Sequence, residues 1–316
     1  MLANLPKTFN PAPALLQRAQ VGTQMSYQKA VNILIALAVG IGAIFTQVII
    51  IMPAVLYVIV MNLLRGNAQN GMTLNLTGGS MMLVQLASTV LPIAALILYV
   101  KFIENRDARS MGFVKEKAVP DYLTGMGIGF AMFSVCVGLC IATGAMTFDG
   151  YVLNGQYGLL AAFFVGFLVQ GLSEEVVCRG FIMTSVGSKN GALIGMLVNS
   201  LLFGLLHMGN SGVTVFSILN IILFGVFMSV VVLKTNSLWM AAAIHSVWNF
   251  VQGNFYGVPV SGTHPEPSVF RCTDVDGMDW LNGGSFGMEG GAANTLGLIL
   301  CIAAALLLPL RQSDDS

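Results

Sequence analysis

Long apolar runs without charged residues constrain this chain more than any other feature. From Ala30 to Leu64 there is no Asp, Glu, Lys or Arg, although about 20 apolar residues already span a bilayer. We therefore expect one overlong or tilted helix, or one kinked near Pro53, in preference to two short spans. Further apolar segments cover approximately residues 80–100, 122–146, 159–182, 192–208, 213–233, 238–255 and 292–310.

The composition agrees with the interpretation of these eight segments as membrane helices. Hydrophobic residues make up 56% of the chain and charged residues 9%, and the mean hydropathy is +0.80. These values exclude an ordinary soluble domain. The sequence therefore predicts an all-α, polytopic integral membrane protein with about eight transmembrane helices. Because the 14 basic and 14 acidic residues cancel, no nucleic-acid partner is expected.

The basic residues predict the orientation, since cytoplasmic loops hold most of the Lys and Arg of a membrane protein. With a cytoplasmic N-terminus, eleven of the 14 basic residues fall inside, Arg65 and Arg271 fall outside, and Arg179 lies in the membrane. Both termini are therefore predicted to be cytoplasmic. Residues 1–29 and 311–316 would form tails around a transmembrane domain of residues 30–310.

Two other regions have a predicted structural role without chemistry. The longest outer loop, residues 256–291, is acidic and rich in glycine, so a mobile, solvated connector is expected and a binding role is the less favoured alternative. Three glycines, Gly125, Gly127 and Gly129, give one helix a small-residue face, which favours close packing of helices.

Charged residues inside an apolar segment are the strongest functional signal. Glu174, Glu175 and Arg179 lie in a predicted membrane helix, where each charge costs at least a few kcal/mol. Residues four apart share a helix face, so Glu175 and Arg179 are predicted to form an ion pair, which could be bidentate. Glu174 then points elsewhere without a local cation, and a carboxyl in that position suits proton transfer.

Two of the three histidines lie in neighbouring apolar segments. Phe203 and His207 are four apart, so the aromatic ring can pack on the imidazole; His245 and Asn249 have the same spacing. A histidine can polarise water and an asparagine amide can stabilise an oxyanion. Each residue alone could be structural, but together with Glu174 they predict a hydrolytic centre that activates a water molecule.

These residues resemble the CPBP intramembrane proteases, which include the CAAX prenyl proteases and the bacterial Abi proteins. The family pattern EExxxR, FxxxH and HxxxN is matched here by the segments that begin at Glu174, Phe203 and His245. The resemblance covers approximately residues 120–255 and is specific as a combination. Its motifs follow the expected order on separate predicted helices.

The resemblance implies an intramembrane endopeptidase that acts on a peptide or membrane-protein substrate in the bilayer of a plasma membrane. Glu174 and His207 would activate water, and His245 and Asn249 would stabilise the oxyanion. Glu175, Arg179 and Phe203 would support them. Eukaryotic members cleave after a prenylated cysteine, whereas bacterial members are associated with peptide maturation and bacteriocin immunity, so no particular substrate follows.

Alternatives remain open for the metal and for the activity. Such proteins are often labelled metalloproteases, and Glu174, His207 and His245 could also form a zinc site. A metal-free, glutamate-activated water is the favoured mechanism. Other classes are a catalytically inactive scaffold or bacteriocin-immunity protein and, with less support, a proton-coupled transporter. A transporter would usually show related halves, and no internal repeat is found in the sequence.

Overall fold

The computed structural model describes residues 9, 12–22, 29–64 and 79–311. Parts of the predicted tails, residues 1–8, 10–11, 23–28 and 312–316, lie outside this description, as does the predicted outer residue Arg65. The first helices are α1 (Ala14–Gly22), α2 (Lys29–Phe45), α3 (Val48–Leu64), α4 (Gly79–Ser88), α5 (Val90–Phe102) and α6 (Ala118–Ala142). They are followed by β1 (Met146–Tyr151), α7 (Tyr157–Glu175), a π-helix (Val176–Met183), α8 (Thr184–Asn190), α9 (Ala192–Leu206) and α10 (Val215–Thr235). The last elements are α11 (Trp239–Phe250), a second π-helix (Val251–Phe255), β2 (Phe270–Asp274), α12 (Asp279–Asn282) and α13 (Ala292–Leu307).

The chain is a multi-pass, essentially all-helical membrane protein. Among the described residues, five helical stretches are long and apolar enough to cross a bilayer: Lys29–Met61, Met81–Phe102, Ala118–Ala142, Tyr157–Asn190 and Val215–Thr235. All eight predicted segments are helical, but α9 and α13 are shorter apolar helices. The predicted count of about eight transmembrane helices is therefore not confirmed.

The first long apolar run is interrupted at Thr46 and Gln47, between α2 and α3, whereas Pro53 lies inside α3. The stretch Lys29–Met61 still counts as one span of 33 residues, which agrees with the expectation of an overlong helix. The Thr46 hydroxyl donates to the Ala43 carbonyl at 2.6 Å, and Thr89, between α4 and α5, donates to Leu86 in the same way. Such side-chain bonds compete with the helical backbone bonds.

Glycines bring the central helices into close contact. A Cβ on Gly129 of α6 would lie 2.6 Å from the Ile244 carbonyl oxygen of α11, and Gly125 meets the Met240 carbonyl of the same helix. Gly127 has nothing within 4 Å of such a Cβ. Gly125 and Gly129 of the predicted small-residue face therefore contact α11, whereas Gly127 does not. This close contact positions α11, the helix that carries His245.

The loop of residues 256–291, which the sequence predicts to lie outside, is folded against the helix ends. Its strand β2 pairs antiparallel with β1, and Asn282 donates to the Ala145 carbonyl at 2.8 Å. Gly287, with φ of +100°, allows a turn in which any Cβ would collide with the Pro259 carbonyl. The expectation of a solvated connector is therefore wrong, because glycine allows tight turns here and the loop forms a wall of the cavity described below.

Candidate active site

The acidic cluster lies at the junction of α7 and the first π-helix. Glu175 and Arg179 are completely buried, and Arg179 Nη1 donates to Glu175 Oε1 at 2.9 Å. The predicted ion pair is present, but it is not bidentate, because Arg179 Nη2 donates to the Gly225 carbonyl of α10. The guanidinium also lies over the Phe203 ring, 4.7 Å from its centroid. Arg179 thus connects the first π-helix to α10, through Gly225, and to α9, through Phe203.

Glu175 also holds His245. His245 Nδ1 lies 2.8 Å from Glu175 Oε1, and a carboxylate bonded to Arg179 is an acceptor, so this nitrogen carries the proton. The bond fixes the imidazole and turns its Nε2 towards Glu174 Oε2, at 3.6 Å. From sequence, Glu175 was assigned one partner, whereas the structure gives it a second partner on α11.

The carboxyl of Glu174 has a partner that was missed from sequence. Gln170, one turn earlier on α7, donates from Nε2 to Glu174 Oε1 at 2.5 Å. Its carbonyl oxygen accepts a hydrogen bond from Asn249 Nδ2 at 3.0 Å. The Gln170 amide thus connects two of the predicted catalytic residues. The signal that could have identified it is a polar side chain four residues before Glu174, on the same helix face.

His207 caps the end of α9. Its Nδ1 lies 2.7 Å from the Phe203 carbonyl oxygen, which can only accept, so Nδ1 is the donor and Nε2 is left for another contact. The Phe203 ring packs edge-on against the imidazole, with centroids 4.8 Å apart. This contact agrees with the packing predicted from the spacing of the two residues.

Glu174 and His207 lie at similar positions on the two helices that the turn at Gly191 connects. The long helical stretch Tyr157–Asn190 is continuous and contains the π-helix, so Glu174 lies near its middle. The turn at Gly191, with φ of +88°, comes 17 residues after Glu174 and 16 residues before His207. Both side chains therefore lie at a comparable distance from this turn.

Side chains from the three motifs line one cavity of about 270 Å³. The predicted catalytic residues on its wall are Glu174, His207, His245 and Asn249. A neighbouring cavity of about 290 Å³ also contains Glu174 and His207. Glu174 Oε2 is buried, has no hydrogen-bond partner among the described residues and lies 3.6 Å from His245 Nε2.

The cavity has two walls outside the motifs. Gln47 and Thr89, from the two helix interruptions, form one wall, and Ser261 and Glu289 of the outer loop form another. Burial raises the pKa of the Glu289 carboxyl, while bonds from Ser261 and Gln252 and the nearby His207 oppose this shift. None of these wall residues was identified from sequence.

The donor set suggested for zinc does not form a metal site as arranged. Within the described residues, no three His, Cys, Asp or Glu side chains are grouped at metal-binding distances. His245 directs Nδ1 to Glu175 and His207 directs Nδ1 to the Phe203 carbonyl. Nε2 of each ring is left for another contact, and metal-binding histidines donate their second N–H to the protein in the same way.

Together, the fold and the site define a helical membrane protein with a cavity lined by ionisable side chains. Comparison with known families extends this description: residues 156–251 match the family model of the Rce1-like type II CAAX prenyl endopeptidases. The match confirms the resemblance to the CAAX proteases of the CPBP group over this segment, which contains all three motifs and Gln170. No curated protein and no solved structure matches the chain. Ser261 and Glu289 lie beyond the matched segment.

Proposed function

We propose that the protein is an intramembrane endopeptidase in which Glu174 activates a water molecule. The observation that carries this proposal is the convergence of Glu174, His207, His245 and Asn249 on one buried cavity. The match to a family of endopeptidases over the same residues supports it. The substrate class is a peptide or membrane-protein segment that reaches the cavity from the bilayer.

The proposed reaction begins with water between Glu174 and His207. Glu174 accepts a proton from the water as its oxygen attacks the carbonyl carbon of the scissile peptide bond. His207, with Nε2 unprotonated, accepts a hydrogen bond from the same water and orients it. When the tetrahedral intermediate collapses, the carbon–nitrogen bond breaks and the protonated Glu174 donates its proton to the leaving amine.

His245 and Asn249 are the proposed donors to the developing oxyanion. Asn249 uses one N–H for Gln170 and has a second to offer. His245 donates from Nε2 only as an imidazolium, and the charges of Glu174, Glu175, Arg179 and this imidazolium would then cancel. Fixed donors in a cavity sheltered from water stabilise such a charge strongly.

No step of this mechanism requires a metal ion. The proposal is supported by the spacing of the side chains, since no three His, Cys, Asp or Glu side chains are grouped for a metal ion within the described residues. Zinc content of the purified protein, measured together with activity after chelation, tests it. Stoichiometric zinc that is needed for turnover would establish the metal-dependent alternative instead.

The proposed activity is tested by Glu174→Gln in the native host. This substitution removes the base but keeps the size and the acceptor oxygen that Gln170 uses. We expect at least one uncut precursor to accumulate when membrane and secreted peptides are compared by mass spectrometry. Glu266→Gln, an exposed glutamate of the outer loop, is the matched control. An unchanged peptide profile in the Glu174→Gln strain would favour the scaffold or immunity role.

A further inference from the structure

The cavity contains a second carboxyl group that lies outside all three motifs and outside the matched family segment. Glu289 lies in the loop of residues 256–291 and lines the same cavity as Glu174, His207 and His245. We propose that Glu289 binds a cationic substrate side chain, so that the enzyme selects peptides with Lys or Arg close to the bond that is cut. This inference rests on the proposed function and specifies its substrate class.

Three neutral groups fix the Glu289 carboxyl. Its Oε2 accepts from the Ser261 backbone N–H at 2.9 Å and from Gln252 Nε2 at 2.8 Å, and its Oε1 accepts from the Ser261 hydroxyl at 3.0 Å. These three donors favour the ionised form and oppose the effect of burial, which raises the pKa of the Glu289 carboxyl. Oε1 keeps a lone pair for a further donor, because a carboxylate oxygen can accept two hydrogen bonds.

The backbone at Glu289 is held as firmly as its side chain. Asn220 of α10 donates from Nδ2 to the Glu289 carbonyl at 2.8 Å and to the Gly291 carbonyl at 3.0 Å. On the other side, Asn210 donates to the Ser261 carbonyl at 3.0 Å. The carboxylate is therefore preorganised before a ligand arrives, which lowers the ordering cost of binding.

The charge around Glu289 points to a cation as its ligand. Within the described part of the chain, no Lys or Arg nitrogen lies within 4.0 Å of its carboxylate. His207 is a nearby group whose positive charge would lower the pKa of Glu289. Arg179 is already paired with Glu175 behind the cavity, so Glu174 and Glu289 face the cavity as acidic groups. A buried anion with neutral donors alone is costly, and an ammonium or guanidinium from the substrate would offset this cost.

A small-molecule probe tests the site independently of proteolysis. The n-butylammonium ion imitates a lysine side chain, and butyramide is an uncharged compound of similar size. We expect butylammonium, but not butyramide, to raise the Tm of the purified wild-type protein and of the exposed-site control Glu266→Gln. The rise should disappear in Glu289→Gln, which keeps the shape of the carboxyl. An equal rise in Glu289→Gln, or no rise in the wild type, would overturn the inference.

A cleavage assay then tests selection by the same residue. Peptides that differ only in carrying Lys, Gln or Glu at one position near the cut are incubated with reconstituted protein. In Glu289→Gln, the ratio of kcat/KM for the Lys peptide to that for the Gln peptide should fall about tenfold or more, the scale of a lost charge-assisted hydrogen bond. In Glu289→Lys, the Glu peptide should become preferred over the Lys peptide.

The two assays separate the two proposals. Cleavage by the wild type with ratios that Glu289→Gln leaves unchanged would overturn the cation site and leave the peptidase assignment intact. Absence of all cleavage, together with a Glu289-dependent effect of butylammonium, would contradict the peptidase assignment and support the cation site.

Discussion

At the scale of single residues, the proposed base depends on a neighbour that carries no charge. Gln170 is the hydrogen-bond donor to Glu174 and also accepts from Asn249. Gln170→Leu removes both bonds, and we expect kcat to fall by roughly 10- to 100-fold, the scale for a bond to a charged group. KM should change much less, because Gln170 acts on the base and the oxyanion donor and not on substrate binding.

The matched control for this prediction is Gln156→Leu. Gln156 lies just before the first turn of the same helix and is exposed, so its replacement should leave kcat unchanged. The measurement is kcat and KM for the wild type and both variants with the same peptide substrate. Equal kcat values for wild type and Gln170→Leu would show that Gln170 does not position the site.

The sequence predicts the charged and aromatic members of the site better than its neutral ones. Spacing alone indicates the pair of Glu175 with Arg179, because helix geometry places residues four apart on one face. The bond between Glu175 and His245 crosses 70 positions of the chain, so no local rule predicts it. Gln170 could not be predicted because it carries no charge that would mark it in an apolar segment. Glu289 could not be predicted because it lies on a loop whose turns are set by glycine.

At the scale of secondary-structure elements, glycines in α6 set the position of α11. Gly129→Ala would push a methyl group into the Ile244 carbonyl, at 2.6 Å, and backbone cannot move aside as a flexible side chain can. We expect a loss of about 1–3 kcal/mol in the free energy of unfolding, measured as a lower Tm in detergent. Activity should fall as well, because α11 carries His245.

Gly127→Ala on the same helix is the matched control. A Cβ at Gly127 meets nothing within 4 Å, and alanine is the better helix former, so the Tm should stay the same or rise slightly. A similar loss of Tm in both variants would contradict the proposed role of Gly129 in the close contact with α11.

The folded outer loop gives a prediction about pH. Burial, together with the charge of Asp279, raises the pKa of Asp274 from 3.8 to about 6. The folded protein then binds this proton more tightly than the unfolded chain does. The resulting stability is fully present below the unfolded pKa and is lost as the pH rises through the folded value.

Asp274→Asn should remove this pH dependence. Between about pH 4 and pH 7, we expect the Tm of the wild type to fall steadily relative to that of Asp274→Asn. Asp276→Asn, an exposed neighbour in the same loop, should follow the wild type. A constant difference in Tm between wild type and Asp274→Asn across this range would contradict the shifted pKa.

Elements with regular periodicity could be predicted, whereas their irregularities could not. All eight apolar segments are helical, since backbone groups in a bilayer must bond within the segment. The two π-helices, at Val176–Met183 and Val251–Phe255, insert extra residues into otherwise helical patterns and leave no compositional mark. They lie next to Glu175 and Asn249, consistent with the frequent occurrence of such segments at functional sites.

At the scale of the whole molecule, the distribution of basic residues predicts that both termini are cytoplasmic, in a plasma membrane. Epitope tags at the two termini should resist protease added outside intact spheroplasts. A tag between Asp276 and Gly277, in an exposed turn of the outer loop, should be cut under the same conditions. External cleavage of either terminal tag would contradict the predicted orientation.

The proposed peptidase activity depends on the carboxyl group of Glu174, which activates water inside the membrane protein. The most direct measurement is the cleavage rate of a peptide substrate by pure protein in liposomes, for the wild type and Glu174→Gln. We predict that the substitution lowers the rate by at least about 100-fold, the scale of general base catalysis, while the Tm stays close to that of the wild type. Equal cleavage rates for the two proteins would contradict the assignment of Glu174 as the catalytic base.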